Sequence, residues 1–89
     1  MATLFVRQHV ADYPAWRRAY DAFAPMQKKG GVIEESVYQA FDDPTDVTVT
    51  HEFATIEAAQ AFAGSADLRE AMQAAGLVGA PTIWFANRV

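Results

Sequence analysis

Side chains alternate between two periodicities along the chain, and the order of these periodicities is the feature that most limits its possible folds. Period-two alternation of side chains predicts four strands, over 3–10, 32–41, 46–53 and 82–89. A 3.6-residue spacing of apolar side chains predicts helices between them, over 12–29, from Thr55 to a break at Gly64–Ser65, and over 66–76. Because crossovers are right-handed, the simplest closure is a four-stranded antiparallel sheet with both helices on one face. This is the α+β, ferredoxin-like βαββαβ fold.

Local signals mark where the predicted elements begin and end. Asp12 offers an N-cap and Pro14 lies in the first turn, which together predict a helix start. Pro25 would remove a hydrogen bond to residue 21, so we expect a kink there or a helix that ends and restarts. The run 42–45 predicts a tight loop between the second and third strands, and Pro81 is expected to open the last strand.

The size and composition of the chain point to one domain that gains a partner. With 89 residues, a single domain over 1–89 is expected, and its core alone is marginal. Cysteine is absent, which removes disulfides and thiolate metal sites. A hydrophobic fraction of 52% with only 20% charged residues favours oligomerisation.

The charge pattern argues against nucleic-acid and membrane partners. The net charge is −4, and no cluster of Lys and Arg exceeds a pair, at Arg17–Arg18 and Lys28–Lys29. Nucleic-acid binding therefore has no electrostatic footprint. No apolar run reaches about 18 residues, so we expect no membrane span and a cytoplasmic location.

Large side chains on both faces of the strands predict that both sheet faces are covered. The candidates for the face without helices are mixed in polarity: Phe5, Arg7, His9, Thr48, Thr50 and Glu52. In the last strand, Ile83 and Phe85 point to one side and Trp84 to the other. Since two helices cover only one face, a second subunit has to cover the other. The sequence therefore predicts a homodimer.

Five stretches, in order, carry a resemblance to a known family: "LFVRQHV", "DYPAWRRAYDAF", "ESVYQAFDDPTDVTV", "EFATIEAAQAF" and "LREAMQAAGLVGAPTIWF". The chain resembles the dimeric α+β barrel proteins of the antibiotic biosynthesis monooxygenase-like superfamily, especially its small cyclase-like bacterial members. The resemblance implies two sheets that form a barrel, with a pocket between each sheet and its helices or inside the barrel. It also implies chemistry without a cofactor on an aromatic or polyketide-like molecule, by oxygenation or cyclisation.

Arg7 and Glu52 are the first candidate catalytic pair. A register that pairs Val6 with His51 would place both on the face without helices, diagonal to each other. Such an ion pair could bind a polar group of the substrate or hold a proton. The alternative is a salt bridge that seals the dimer.

The two histidines are predicted to point to opposite faces and so not to form a metal site. His51 lies in a row with Val49 and Phe53, where it is either a core histidine or an acid/base group acting on a phenol or enol. His9 lies at a strand end, where it is either solvated or part of a substrate site.

Aromatic residues and one amide complete the candidate site. The aromatic residues that could line an apolar pocket are Trp16, Tyr20, Phe23, Tyr38, Trp84 and Phe85. Phe23 and Phe85 also suit an ordinary core, whereas Tyr38 and Trp84 each carry a polar group that needs a partner. Tyr38 faces the helices or the barrel depending on the hairpin register. Pairing Phe41 with Asp46 would put Tyr38 beside Val49, and a slip of one residue would put it beside Thr50. Cofactor-free oxygenases of the resembled superfamily hold a substrate anion with Asn, Trp and Arg. Asn87, Trp84 and Arg7 are residues of those types.

Three functions are open at this level, and one of them, a polypeptide-binding module that uses a sheet edge, is disfavoured because a closed barrel leaves little free edge. Two others are better supported. The first is a small-molecule enzyme that needs no cofactor. The second is a non-enzymatic, stress-related or ligand-binding barrel, which a pocket too small for a ring system would favour.

Overall fold

The computed structural model describes every residue of the chain, 1–89. Its elements, in chain order, are β1 (Ala2–Val10), α1 (Tyr13–Ala22), α2 (Ala24–Lys29), β2 (Glu34–Ala40), β3 (Asp43–Phe53), α3 (Ile56–Ala63), α4 (Ala66–Ala74) and β4 (Leu77–Asn87). The four strands form one antiparallel sheet in the order β2-β3-β1-β4, and the helices lie on one face of it. The predicted ferredoxin-like fold is confirmed.

Both predicted helical regions are divided, each for a local reason. The first ends at Phe23, and Pro25 lies in the first turn of α2, where its missing N–H is no loss. The helix therefore ends and restarts, one of the two expected outcomes. In the second region Ser65 breaks the helix and its Oγ accepts from the Leu68 N–H, at 3.2 Å. Asp12 occupies the N-cap position of α1 but makes no side-chain cap hydrogen bond.

The hairpin between β2 and β3 differs from its prediction. The turn lies at Phe41–Asp42, and β3 already begins at Asp43, so the predicted loop over 42–45 is wrong. The carboxylate of Asp43 accepts hydrogen bonds from the N–H and the hydroxyl of Thr45, at 2.9 and 2.7 Å. These bonds hold an irregularity in which the register shifts after Gln39, and this irregular stretch accommodates Pro44.

The last strand is longer than expected. It begins at Leu77, so Pro81 lies inside it and does not open it. The pairing of β4 with β1 shifts between Arg7 and His9, close to the position of Pro81. Because β4 is an edge strand, an irregularity there tolerates a residue without an N–H.

The core lies between the helices and the inward-facing side chains of β1 and β3. Leu4, Val47, Phe53 and Ala59 have no measurable exposure, and Trp16 and Phe62 cover them from the helices. The opposite sheet face, which we call the open face, carries no element of this chain. Its side chains Tyr38 and Trp84 are 57% and 41% exposed. No helix is long and apolar enough to cross a membrane.

Candidate functional site

A narrow, partly open cleft lies between the helices and the sheet. It encloses about 40 Å³ and is lined by thirteen residues, of which ten are hydrophobic. The three polar lining residues are Gln8 from β1, Gln27 from α2 and His51 from β3. No Lys, Arg, Asp or Glu side chain lines it. The arrangement suits a small organic molecule with few polar groups.

His51 is placed in this cleft by the alternation of β3. Its neighbours Val49 and Phe53 point into the same core, and its own side chain is 2% exposed. Phe62 packs edge-on against the imidazole, with ring centroids 5.4 Å apart. Tyr20 lies parallel to it, and the Tyr20 hydroxyl is 3.1 Å from Nε2 of His51. His51 is therefore a core histidine with one hydrogen-bonded nitrogen.

Burial determines the protonation states of Tyr20 and His51. It lowers the pKa of His51 to about 4, so the imidazole is neutral at pH 7. Burial also raises the pKa of Tyr20, so its hydroxyl keeps the proton. Two arrangements satisfy the contact: the Tyr20 hydroxyl donates to Nε2 and the imidazole hydrogen is on Nδ1, or Nε2–H donates to the hydroxyl oxygen and Nδ1 is an acceptor.

Three buried polar atoms of the cleft have no partner within the protein. They are Nδ1 of His51, Oε1 of Gln8 and Nε2 of Gln27. The side chains are 2%, 5% and 4% exposed, so solvent does not reach them freely. An unpaired buried polar atom costs roughly 1–3 kcal/mol, so three of them make this cleft able to form hydrogen bonds with a bound polar group.

Sequence reasoning missed Gln8 and Gln27, whereas it counted Tyr20 among the aromatic residues that could line a pocket, and Tyr20 does line the cleft. Gln8 did give a signal, since it is the one polar residue in the inward row Leu4, Val6, Gln8 and Val10. Trp16 was predicted as a pocket residue and lies in the cleft, where its ring stacks on Tyr20 at 4.9 Å.

The open face brings together a different subset of the predicted residues. Arg7, Tyr38 and Trp84 surround a shallow concavity of about 510 Å³. The rings of Trp84 and Phe5 stack in parallel, with centroids 5.1 Å apart. Since this face has no cover within the chain, the concavity becomes a closed site only if another surface packs over it.

Arg7 does not pair with Glu52. In the observed register Val6 faces Val49, two residues away from the expected partner, and Arg7 faces Thr48. The guanidinium donates to both carboxylate oxygens of Asp46, at 3.0 and 2.6 Å, and the hydrogen bonds hold the pKa of Asp46 below its usual range.

Glu52 lies on the same open face, near the other end of the strand. Its Oε1 is 3.6 Å from Nη1 of Arg88. Glu34 is its direct neighbour on β2, and a hydrogen bond with Glu52 raises the pKa of Glu34. Glu52 therefore belongs to a small carboxylate pair at the edge of the open face.

The remaining candidates divide between the two faces. Tyr38 pairs with Thr48, so neither expected partner is right, and its side chain lies on the open face and not under the helices. His9 is exposed, pairs with Asp46 and points away from His51, as predicted. Asn87 faces Ala2, whereas Trp84 faces Phe5, and the odd spacing puts Asn87 on the face opposite to Trp84 and Arg7. No group of three or more His, Cys, Asp or Glu side chains is arranged to hold a metal.

Known structures share this fold. No family model and no curated protein matches the chain. An antibiotic biosynthesis monooxygenase-like protein from Bordetella bronchiseptica superposes with a TM-score of 0.85 at 14% identity, over 99% of this chain and 96% of that one. A protein so described from Nitrosomonas europaea gives 0.79 at 16% identity, over 100% and 99%. SnoaB, a cofactor-independent oxygenase from Streptomyces nogalater, gives 0.75 at 11% identity, over 99% and 94%. The predicted resemblance in fold is confirmed.

Proposed function

We propose that the chain binds a small, aromatic or polyketide-like molecule in the helix–sheet cleft and acts on it without a cofactor. The observation that carries this proposal is the Tyr20–His51 pair, which presents an unpaired Nδ1 in a cleft lined by apolar walls. The cofactor-independent oxygenase with the same fold supports the type of chemistry.

The chain's own residues give the cleft two tasks. The apolar lining, including Trp16 and Phe23, would remove water from the bound molecule and orient it. His51 would form a hydrogen bond through Nδ1 with a carbonyl, enol or phenol group of that molecule. A neutral imidazole in such a position can hydrogen-bond the enol that a β-diketone already forms in water, and either oxygenation or cyclisation can start from this enol.

We further propose that two copies pack through their open faces into a barrel. Trp84, Tyr38 and Phe5 are large side chains that this packing would cover. The concavity around Arg7 and Asp46 would then lie inside the barrel, where Glu52 and His9 also point. This interior is the alternative location for the substrate. Asn87 would not line it, because Asn87 lies on the sheet face opposite to Trp84.

Turnover by matched variants tests the proposal. The purified protein, treated with a chelator, is incubated under air with a panel of phenols and β-diketones, while oxygen uptake and products are measured. We expect wild type and Gln60→Ala to convert the same compound, since Gln60 is exposed on α3. His51→Phe should reduce the rate by about 100-fold or more, the typical size of an acid/base contribution. Equal rates for His51→Phe and wild type would contradict the proposal.

A second candidate is a barrel that binds its ligand without converting it. The volume of about 40 Å³ favours it, because benzene occupies engineered cavities of roughly 150 Å³. Saturable binding of a compound that is recovered unchanged would identify this function.

A further inference from the structure

The three unpaired atoms of the cleft define what kind of group complements them. The Gln27 amide nitrogen is a donor, and Nδ1 of His51 is a donor or an acceptor according to the tautomer of the imidazole. The unpaired Gln8 Oε1 is an acceptor. A group that satisfies all three must accept hydrogen bonds and also donate at least one.

The charge of the lining decides between neutral and ionised groups. No cationic side chain lines the cleft, and burial keeps His51 neutral. The guanidinium of Arg17 lies 5.5 Å from the centroid of the Tyr20 ring, but it does not line the cleft and it is paired with Asp21. Arg7 points to the open face and is bound by Asp46. A carboxylate or phenolate in the cleft would therefore lose its hydration without gaining an opposite charge.

The volume limits the group to a few atoms. A water needs about 10–15 Å³ of such space, so 40 Å³ holds a head group and not a ring. The innermost polar residues are buried, whereas Phe23 and Met72 are half-buried and form the rim. A ring attached to the head group would rest against this rim.

We infer that the cleft recognises an uncharged head group that both accepts and donates hydrogen bonds, such as a carboxamide or the enol of a β-diketone, and discriminates against the matching anion. This inference rests on the proposed function, since it takes the cleft as the ligand site. It adds the substrate class: a neutral polar head on an apolar body.

Three probes of nearly the same shape separate the requirements. Benzamide is neutral with a donor and an acceptor, acetophenone is neutral with an acceptor only, and benzoate is the anion. Titration at pH 7, followed by the side-chain ¹⁵N signals of His51 and Gln27, gives the three dissociation constants. We expect benzamide to bind at least about tenfold tighter than benzoate, because the anion loses its hydration uncompensated. Acetophenone should lie between them. Benzoate binding as tightly as benzamide, or no binding by any probe, would overturn the inference.

Two variants distinguish a ligand site from a site that only holds structural water. Gln8→Met and Gln27→Met keep the side-chain length and remove the unpaired polar atoms. We expect an unchanged or higher melting temperature, since these atoms have no partner to lose, together with loss of the benzamide preference. Gln60→Met, at an exposed position on α3, should keep that preference. A lower melting temperature with the preference intact would show that the amides serve the fold, which would overturn the inference.

Turnover and probe selectivity can fail separately. If benzamide is preferred but no compound of the panel is converted, the enzymatic function fails and the ligand class stands. If a compound is converted while benzoate binds as tightly as benzamide, the enzyme stands and the ligand class fails.

Discussion

The Tyr20 hydroxyl is the only group of the protein that forms a hydrogen bond with the buried His51 side chain. Removing its one oxygen atom therefore removes the bond. The two side chains lie on α1 and β3, and the bond spans 3.1 Å. Its loss would leave both imidazole nitrogens unpaired in an apolar site. The cost of an unpaired buried group, and not the modest net value of an average hydrogen bond, sets the size of the effect.

Tyr20→Phe should lower the free energy of unfolding by about 1–3 kcal/mol. Urea denaturation followed by circular dichroism measures this. The control is Tyr38→Phe, the same change at a side chain that is 57% exposed and lies on the open face. A variant at Tyr20 as stable as the one at Tyr38 would show that the hydrogen bond does not hold His51.

Stability should also depend on pH through His51. Burial lowers the pKa of His51 from its ordinary 6.5 to about 4, so between these values the unfolded chain binds a proton that the folded chain does not. This contribution to stability is therefore fully present above pH 6.5 and is lost as the pH falls to 4. Its full size is about 3 kcal/mol.

His51→Phe isolates that contribution, because the variant keeps His9 and every carboxylate. Unfolding free energies at a series of pH values between 4 and 7 give the slopes for both proteins. The wild type should lose stability more steeply than the variant over this range. Parallel curves would mean that His51 is as accessible to protons in the folded state as in the unfolded chain.

At the residue level the sequence predicts faces better than partners. Alternation correctly put His51 under the helices and His9 on the opposite face. It could not single out Gln8 and Gln27, because an unpaired amide depends on what packs around it. Trp16 could be predicted as a pocket residue because it belongs to the apolar stripe of its helix.

At the level of elements, Gly30 joins α2 to the chain that leads into β2 and lies against the core. A Cβ built on Gly30 would come within 2.6 Å of Cδ1 of Phe62, whose side chain is 6% exposed. Phe62 also packs on Phe53 and His51, so its ring has little room to move. Gly30, at the end of α2, thus packs so closely on Phe62 of α3 that no side chain fits between them.

Gly30→Ala should destabilise the protein by about 1–3 kcal/mol, the usual cost of overpacking a core. Gly64→Ala is the matched control at the end of α3, where the nearest atom to a built Cβ is the Gln60 carbonyl oxygen at 3.5 Å. Its backbone has φ of −90°, so alanine should be tolerated or slightly stabilising. Thermal unfolding of both variants decides, and equal melting temperatures would contradict the close packing.

Strand register shows why the element level was only partly predictable. The expected pairing of Val6 with His51 and the observed pairing with Val49 differ by two residues, so both keep the same side chains on the same face. Arg7 and Glu52 consequently share the open face as predicted, but Arg7 binds Asp46. The irregularity after Gln39, held by Asp43 and Thr45, has no clear sequence signal beyond Pro44.

At the scale of the whole molecule, one face of the sheet is covered by helices and the other is not. The open face carries the parallel stack of Phe5 and Trp84 beside Tyr38, which is an apolar surface flanked by the Arg7–Asp46 pair. A surface of this kind is typical of contact with another protein surface. Large residues on both sides of the last strand had led to the same expectation from sequence.

Trp84→Glu should convert the proposed dimer into a monomer, because it would place two uncompensated charges in the interface. Native mass spectrometry should report 9.8 kDa for the variant and twice that mass for wild type. Gln60→Glu, a change of the same charge on an exposed helix position, should remain a dimer. A monomeric wild type would rule out the barrel.

The two tryptophans allow one measurement to decide where ligands bind. The chain contains only Trp16 and Trp84, and one lines the helix–sheet cleft while the other lies on the open face. Their indole N–H groups give two signals in a ¹H–¹⁵N spectrum, which Trp84→Phe assigns. When a ligand from the benzamide series or the turnover panel is added to wild type, we expect the Trp16 signal to shift in a saturable manner while that of Trp84 stays in place. A shift confined to Trp84 would contradict the cleft as the functional site and place the ligand on the open face of the sheet.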